Sequence, residues 1–167
     1  EALASVDRGE THLTDFPPLD KYSAVCVGPG IAQNSDTEQM LIKLIKTCMK
    51  PMVIDADGLN LLSRNIEVLN STYNTLILTP HPGEFDRLFG KSESSWERLE
   101  RARDVAHKYK VIIVLKGAYT RVVLPDGNVH FNSTGNPGMA TGGSGDVLSG
   151  IITGLLTRGL SPADAAI

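Results

Sequence analysis

Apolar runs alternating with stretches of helical period mark this 167-residue chain as an α/β protein with a mostly parallel central sheet. The runs are Tyr22–Val27, Pro51–Ile54, Thr75–Thr79 and Val111–Leu115, continuously apolar at their centres as strands covered on both faces are. A hairpin follows, because Pro125-Asp126-Gly127-Asn128 separates Arg121–Leu124 from Val129–Phe131. Together these predict a three-layer sandwich, with helices on both faces of the sheet and an antiparallel hairpin at one edge.

Taken in order, residues 1–20 carry no period, and Phe16-Pro17-Pro18 predicts an extended connection. Tyr22–Val27 ends in Gly28-Pro29-Gly30, and the polar residues Gln33 to Asp36 are placed to cap the next helix. On that helix Met40, Leu41, Leu44, Ile45 and Cys48 share one face. The strand Pro51–Ile54 stops at Asp55-Ala56-Asp57, before a mostly helical Leu59–Leu69. Those acids either cap that helix or face a ligand, since ligands of open α/β sheets bind outside the carboxyl ends of the strands. Thr75–Thr79 leads into Pro80-His81-Pro82-Gly83-Glu84, with His81 held extended between prolines ahead of a helical Phe85–Phe89. Trp96–Tyr109 is an amphipathic helix whose charges form a solvated face. Lys116, at the carboxyl end of Val111–Leu115, either reaches a phosphate or lays its stem along apolar surface.

The most informative stretch is Asn132 to Asp146, which holds five glycines and one proline and runs into an apolar helix. Val147, Leu148, Ile151, Ile152, Leu155 and Leu156 predict a buried stripe, with Gly150 and Gly154 packed closely against a neighbour. Glycines before a helix start can aim several N–H groups into one concavity, where the helix carries about half a positive charge. Such a concavity suits a phosphate. Asp146 is then either a first-turn acid stabilised by the dipole or a group that handles a proton. The glycine density exceeds what a cap requires and favours the proton-handling role. No Lys-Ser or Lys-Thr follows the glycines and no Gly-x-Gly-x-x-Gly opens a helix after a strand, so neither a P-loop nor a dinucleotide fingerprint is present.

Composition sets limits on this reading. With 41% hydrophobic and 21% charged residues the chain fits one ordinary globular domain. A net charge of −3 provides no general basic surface for nucleic acid. Neither a signal peptide nor a membrane span is expected. Cys26 and Cys48 have no metal or redox spacing and are expected as reduced core residues, in keeping with a cytoplasmic protein.

Val27-Gly28-Pro29-Gly30, Val53 to Asn60, Leu78 to Phe85, Lys116 to Thr120 and Asn136 to Ser149, in this order, resemble the NAD(P)H-hydrate dehydratases of the ribokinase-like superfamily. The resemblance runs from about Tyr22 to the last residue. It implies an enzyme that restores the S epimer of hydrated NADH or NADPH at the expense of ADP or ATP, with Mg2+. On the family pattern, Gly30, His81 and Asp146 would contact the hydrated cofactor, with Asp146 as catalytic base. Lys116, Gly117, Ala118, Tyr119 and Thr120, with Gly145, would hold the adenine nucleotide, and the amides of Gly143, Ser144 and Gly145 would stabilise the transferring phosphoryl. Thr120 resembles the ADP-using branch. The family pattern spells out no metal ligands here, and Glu84 is the candidate for an indirect contact. Homo-oligomers are common in the family.

Two departures stand out: Ala32 replaces a frequent glycine, and the family domain extends beyond both ends of this sequence, so residues 1–167 are expected to be part of a single domain. A ribokinase-like kinase of small vitamin precursors would share the glycine loop, but Thr79 to Glu84 favours the dehydratase. A nucleotide-binding module without turnover is the other alternative.

Overall fold

The strand order β1-β2-β3-β4-β5-β6 follows the chain without a reversal in a computed structural model that describes residues 6–9 and 11–167. The strands are β1 (Val25–Val27), β2 (Met52–Ile54), β3 (Leu76–Leu78), β4 (Ile112–Leu115), β5 (Arg121–Val123) and β6 (Val129–Phe131). β1 to β4 are parallel, whereas β5 and β6 pair antiparallel at the far edge. The sheet and its hairpin are thus those the sequence predicts. The expectation for residues 1–20 falls partly on residues 1–5 and 10, outside the described residues; the described remainder holds no helix or strand.

Because β1 to β4 advance in one direction, right-handed crossovers deliver their helices to one face. That face carries α1 (Ser35–Thr47), α2 (Ala56–Leu62), a 3-10 segment (Ile66–Ser71), α3 (Pro82–Phe89) and α4 (Ser95–Tyr109). Leu41, Leu44, Leu61, Phe85, Leu99 and Ala102 of these helices meet Met52, Ile54, Leu76 and Leu78 in the larger core. The alternate sheet residues Val53, Ile77, Ile112 and Val114 point the other way, as the period of two requires. There α5 (Ser144–Thr157) and α6 (Pro162–Ala166) cover them through Ile152, Leu156, Ala165 and Ala166. No helix among the described residues is long and apolar enough to cross a membrane.

The position of α3 is fixed by its neighbour. Both nitrogens of the Arg98 fork donate to the Asp86 carboxylate at 2.8 Å, joining α4 to α3. This pairing holds the Asp86 carboxyl below its usual range, so its contribution to stability is present at neutral pH and lost as acid protonates it.

The second face corrects three expectations. Val147 and Ile151 are 62% and 56% exposed, and of the expected stripe on α5 only Ile152 and Leu156 are buried. Added methyl groups at Gly150 and Gly154 would meet open space, so no neighbour packs there. Cys26 is exposed rather than in the core, whereas Cys48 is buried as expected. The cause is shared: α5 lies over β1 and β2, β1 is the edge strand, and no described element extends past that edge. The helix boundaries also shift. α2 is shorter than Leu59–Leu69 and passes into the 3-10 segment, and α3 begins at Pro82.

Gly28, at the end of β1, has φ +135° and passes so close to β2 that an added Cβ would lie 1.8 Å from the Asp55 carbonyl oxygen. Gly28→Ala is therefore expected to destabilise the fold by more than about 1 kcal/mol, since both conformation and space are incompatible with a side chain. Urea unfolding checks this, and an unchanged midpoint would contradict the close approach.

Candidate active site

The carboxyl ends of the four parallel strands form a rim, stitched together by backbone bonds beyond the regular ladder. Asp55 N–H donates to Val27 O at 3.1 Å, Thr79 N–H to Ile54 O at 3.2 Å and Lys116 N–H to Pro80 O at 2.9 Å. Gly28, Asp55, Thr79 and Lys116 are thereby set side by side, as expected of the carboxyl ends of neighbouring parallel strands, and His81 follows two residues after Thr79.

A buried charged knot occupies its middle. Asp55 is 1% exposed, and its Oδ1 accepts from Lys116 Nζ at 2.8 Å and from Ala56 N–H at 2.9 Å. Its Oδ2 accepts from Ser149 Oγ at 2.6 Å. Lys116 Nζ also lies 3.8 Å from Oε2 of the buried Glu84. Lys116 is thus neither a free arm nor a stem laid on apolar surface: it is the cation shared by two carboxylates.

Asp57 does different work, because its carboxylate turns back to accept from Ala32 N–H at 3.2 Å and Gln33 Nε2 at 2.8 Å. It braces the loop carrying Gly30, in which Gly30 and Ala32 both have positive φ. Ala32 stands in a conformation that glycine adopts more readily, which is the physical content of its departure from the family pattern.

His81 is the N-cap of α3 rather than a plain loop residue. Its Nδ1 accepts from Gly83 N–H at 3.0 Å and Glu84 N–H at 3.3 Å, while Glu84 Oε2 accepts from His81 N–H at 2.8 Å. This is a capping box closed by Pro82 in the first turn. An accepting Nδ1 carries no proton, so the neutral ring bears its proton on Nε2, 3.5 Å from Glu84 Oε1. The half-exposed ring thus offers an N–H donor at the rim.

The glycine stretch completes the site. Gly135 runs against the Lys116–Thr120 loop so closely that a Cβ there would lie 2.3 Å from Ala118 O. Gly143 caps α5 with φ +87°, and Ser144 folds back on Thr141 O. Gly145 brings the first turn of α5 to the knot, its would-be Cβ position being 3.4 Å from Lys116 Nζ and 3.6 Å from Asp55 Oδ2. Asp146 is exposed in that first turn, and no side-chain hydrogen bond ties it down among the described residues. Cys26 is exposed as a residue, yet its sulfur is partly shielded from water, which raises the thiol; a hydrogen bond with Thr153 opposes this, and the charges of Asp55 and Asp146 add to it.

The structure therefore brings Lys116 to the start of α5, which Gly143, Ser144 and Gly145 form, while Ala118 lies against Gly135. Gly117 and Tyr119 project from the same loop exposed, and Thr120 Oγ1 donates to Gly117 O at 3.2 Å. Gly30 and His81 stand on the rim, with no hydrogen bond joining either to Asp146 among the described residues. Sequence reasoning missed Ser149, although a polar residue four positions after Gly145 on a helix otherwise rich in leucine and isoleucine is the kind of signal that marks a buried partner. No cluster of three or more His, Cys, Asp or Glu that could hold a metal ion occurs among the described residues.

A glycine-rich helix start, a lysine beside it and an acid in its first turn stand at the carboxyl rim of this sheet, and the fold is that of the ribokinase-like proteins. Residues 3–167 match the family model described as NAD(P)H-hydrate dehydratase, and the chain belongs to that family. It is 44% identical to a bifunctional NAD(P)H-hydrate repair enzyme of Moorella thermoacetica over 89% of its length and 28% of that protein. It is also 44% identical to the ADP-dependent (S)-NAD(P)H-hydrate dehydratase of Neisseria meningitidis serogroup B, over 70% of this chain and 41% of that one. The solved ADP/ATP-dependent NAD(P)H-hydrate dehydratase of Bacillus subtilis, co-crystallised with ATP and Mg2+, superposes with a TM-score of 0.73 at 34% identity, covering 94% of this chain and 53% of that one. The chain thus spans about half of the solved relative and under a third of the Moorella enzyme.

Lys116→Ala is expected to cost folding stability as well as nucleotide affinity, because it strands the Asp55 charge at 1% exposure. Removing one partner of a buried pair costs about 3–5 kcal/mol, and the partial exposure of Lys116 places this pair toward the lower end. Thermal unfolding and ADP titration of the variant check both effects; parental stability would mean that Asp55 is not held by Lys116.

Proposed function

We propose that the protein containing this chain restores the S epimer of hydrated NADH and NADPH, consuming ADP, or ATP in its place. The observation that carries this reading is the meeting of Lys116 with the Gly145 turn of α5, one residue before Asp146. Family membership supplies the substrate class.

The difficulty of the reaction is the leaving group, since hydroxide departs poorly from the nicotinamide ring. In the proposed sequence Asp146 accepts the proton of the ring hydroxyl, whose oxygen attacks the terminal phosphorus of the nucleotide. The bond to the bridging oxygen breaks, releasing AMP from ADP or ADP from ATP. The phosphorylated ring then expels phosphate and loses a proton from the adjacent carbon, which restores the dihydropyridine. Gly143, Ser144 and Gly145 N–H groups, with Lys116, would stabilise the charge on the transferring phosphoryl. Lys116 to Thr120 would hold the nucleotide, while Gly30 and the His81 Nε2–H would hold the hydrated cofactor.

The charges around the knot favour Mg2+. Asp55 and Glu84 share one lysine, so an arriving polyphosphate meets a net negative neighbourhood that a divalent ion would offset. Mg2+ keeps several waters and binds mainly through substrate phosphates, which suits an indirect contact with Glu84 and needs no protein cage. The proposed setting is the cytoplasm, and the proposed assembly is a homo-oligomer.

The test is to supply chemically hydrated NADH with ADP or ATP and Mg2+ and to follow the return of dihydronicotinamide absorbance. ADP is expected to support the higher rate, and ATP performing equally well would remove the nucleotide preference. Absence of recovery with both, alongside intact nucleotide binding, would leave a binding module. Asp146→Asn should lower the rate by roughly 10²–10⁴ while nucleotide affinity survives, because an amide cannot take the hydroxyl proton. Near-parental turnover by that variant would exclude Asp146 as the base.

A further inference from the structure

We infer that Asp55 is a positioning residue of the phosphate site, which sets the first turn of α5 against Lys116 through its bond from Ser149. The argument starts from the inventory of donors. An ionised carboxylate accepts only, and both oxygens of Asp55 are occupied by groups from separate parts of the chain: Lys116 after β4, Ala56 in α2 and Ser149 in α5. The Ser149 hydroxyl has a single proton to give. Its 2.6 Å contact with the carboxylate claims that proton over the 3.1 Å contact with Gly145 O.

Ser149 stands one helical turn beyond Gly145 and on the same face, so fixing Ser149 fixes the height of Gly145 over the rim. At that height the Gly145 turn comes to 3.4 Å from the lysine nitrogen, measured from its would-be Cβ. One carboxylate thus aims both elements of the anion site, the ammonium and the helix start, at the same point. A competing account makes Asp55 only the cap of α2. Its side chain accepts from the adjacent Ala56 N–H, whereas Gly58 N–H is taken by the Asp55 backbone carbonyl at 2.9 Å. Capping of that kind requires neither Lys116 nor a serine 94 positions away.

The geometry stands by itself, while its effect on turnover rests on the dehydratase reading. The experiment compares Ser149→Ala and Asp55→Asn with the parent full chain, and uses Ser94→Ala, which removes the cap of α4, as the control for lost stability alone. Three quantities are measured: amide exchange at Val147 and Leu148, the first bonded turn of α5; ADP affinity by titration calorimetry; and turnover of hydrated NADH. Loss of a hydrogen bond to a charged group should raise exchange at these amides about tenfold in Ser149→Ala and weaken ADP binding by a similar factor. Turnover should fall in kcat, with KM for the hydrated cofactor held. The control should show none of this.

Parental exchange and ADP affinity in Ser149→Ala, with only a lowered melting temperature, would overturn the inference. Should Asp55→Asn fail to fold, Ser149→Ala decides, since it keeps the Asp55–Lys116 pair. A protein containing this chain that is unable to act on hydrated NADH would sink the dehydratase reading, while exchange and ADP binding would still decide the role of Asp55.

Discussion

A carboxylate at 1% exposure must have its charge answered by the groups around it, and Asp55 draws those groups from the ends of β4, α2 and α5. This demand orders the site. Lys116 cannot swing freely, because withdrawing it would leave a buried anion unpaired. The start of α5 cannot drift from the rim without breaking a short hydrogen bond to a charge. Glu84 extends the same arrangement to His81, since its Oε2 both faces Lys116 and closes the capping box. Lys116, the Gly145 turn and His81 therefore hang on one continuous set of polar contacts, while Asp57 braces the Gly30 loop separately.

Much of this was legible in the residues. Met52–Ile54, Leu76–Leu78 and Ile112–Leu115 read as strands because both of their faces are covered, which leaves no polar position to confuse the pattern. The glycine stretch before α5 reads as a sharp turn into a helix start, and Gly143 with φ +87° makes that turn. Other features were hidden for identifiable reasons. Histidine is not among the preferred capping residues, so the box formed by His81 and Glu84 was passed over although Pro82 marks a first turn. The bond between Ser149 and Asp55 spans 94 positions, and no local pattern encodes a partner so distant. Periodicity announced an apolar stripe on α5, but a stripe says nothing about what lies opposite it; Val147 and Ile151 are exposed beside an edge strand. The helix α6 was not foreseen, although Ser161 followed by Pro162 and Asp164 spells a short capped turn.

The two faces of the sheet differ in how they are built. Crossovers between successive parallel strands cover the first face as a by-product of making the sheet, whereas the second depends on α5 and α6, which follow the last strand. The glycine loop before α5 belongs to this second layer, so its placement depends on a helix joined to the sheet by few elements.

The sequence separation within the charged knot carries a consequence for the order of assembly. Asp55 meets Lys116 across 61 positions and Ser149 across 94, while β1 to β4 join neighbours along the chain. Closing the longer loops costs more entropy before any contact repays it. The first face can therefore condense from nearer contacts while the knot is still open. A ribosome would release β1 to β6 before it released the glycines that bring the start of α5 to Lys116.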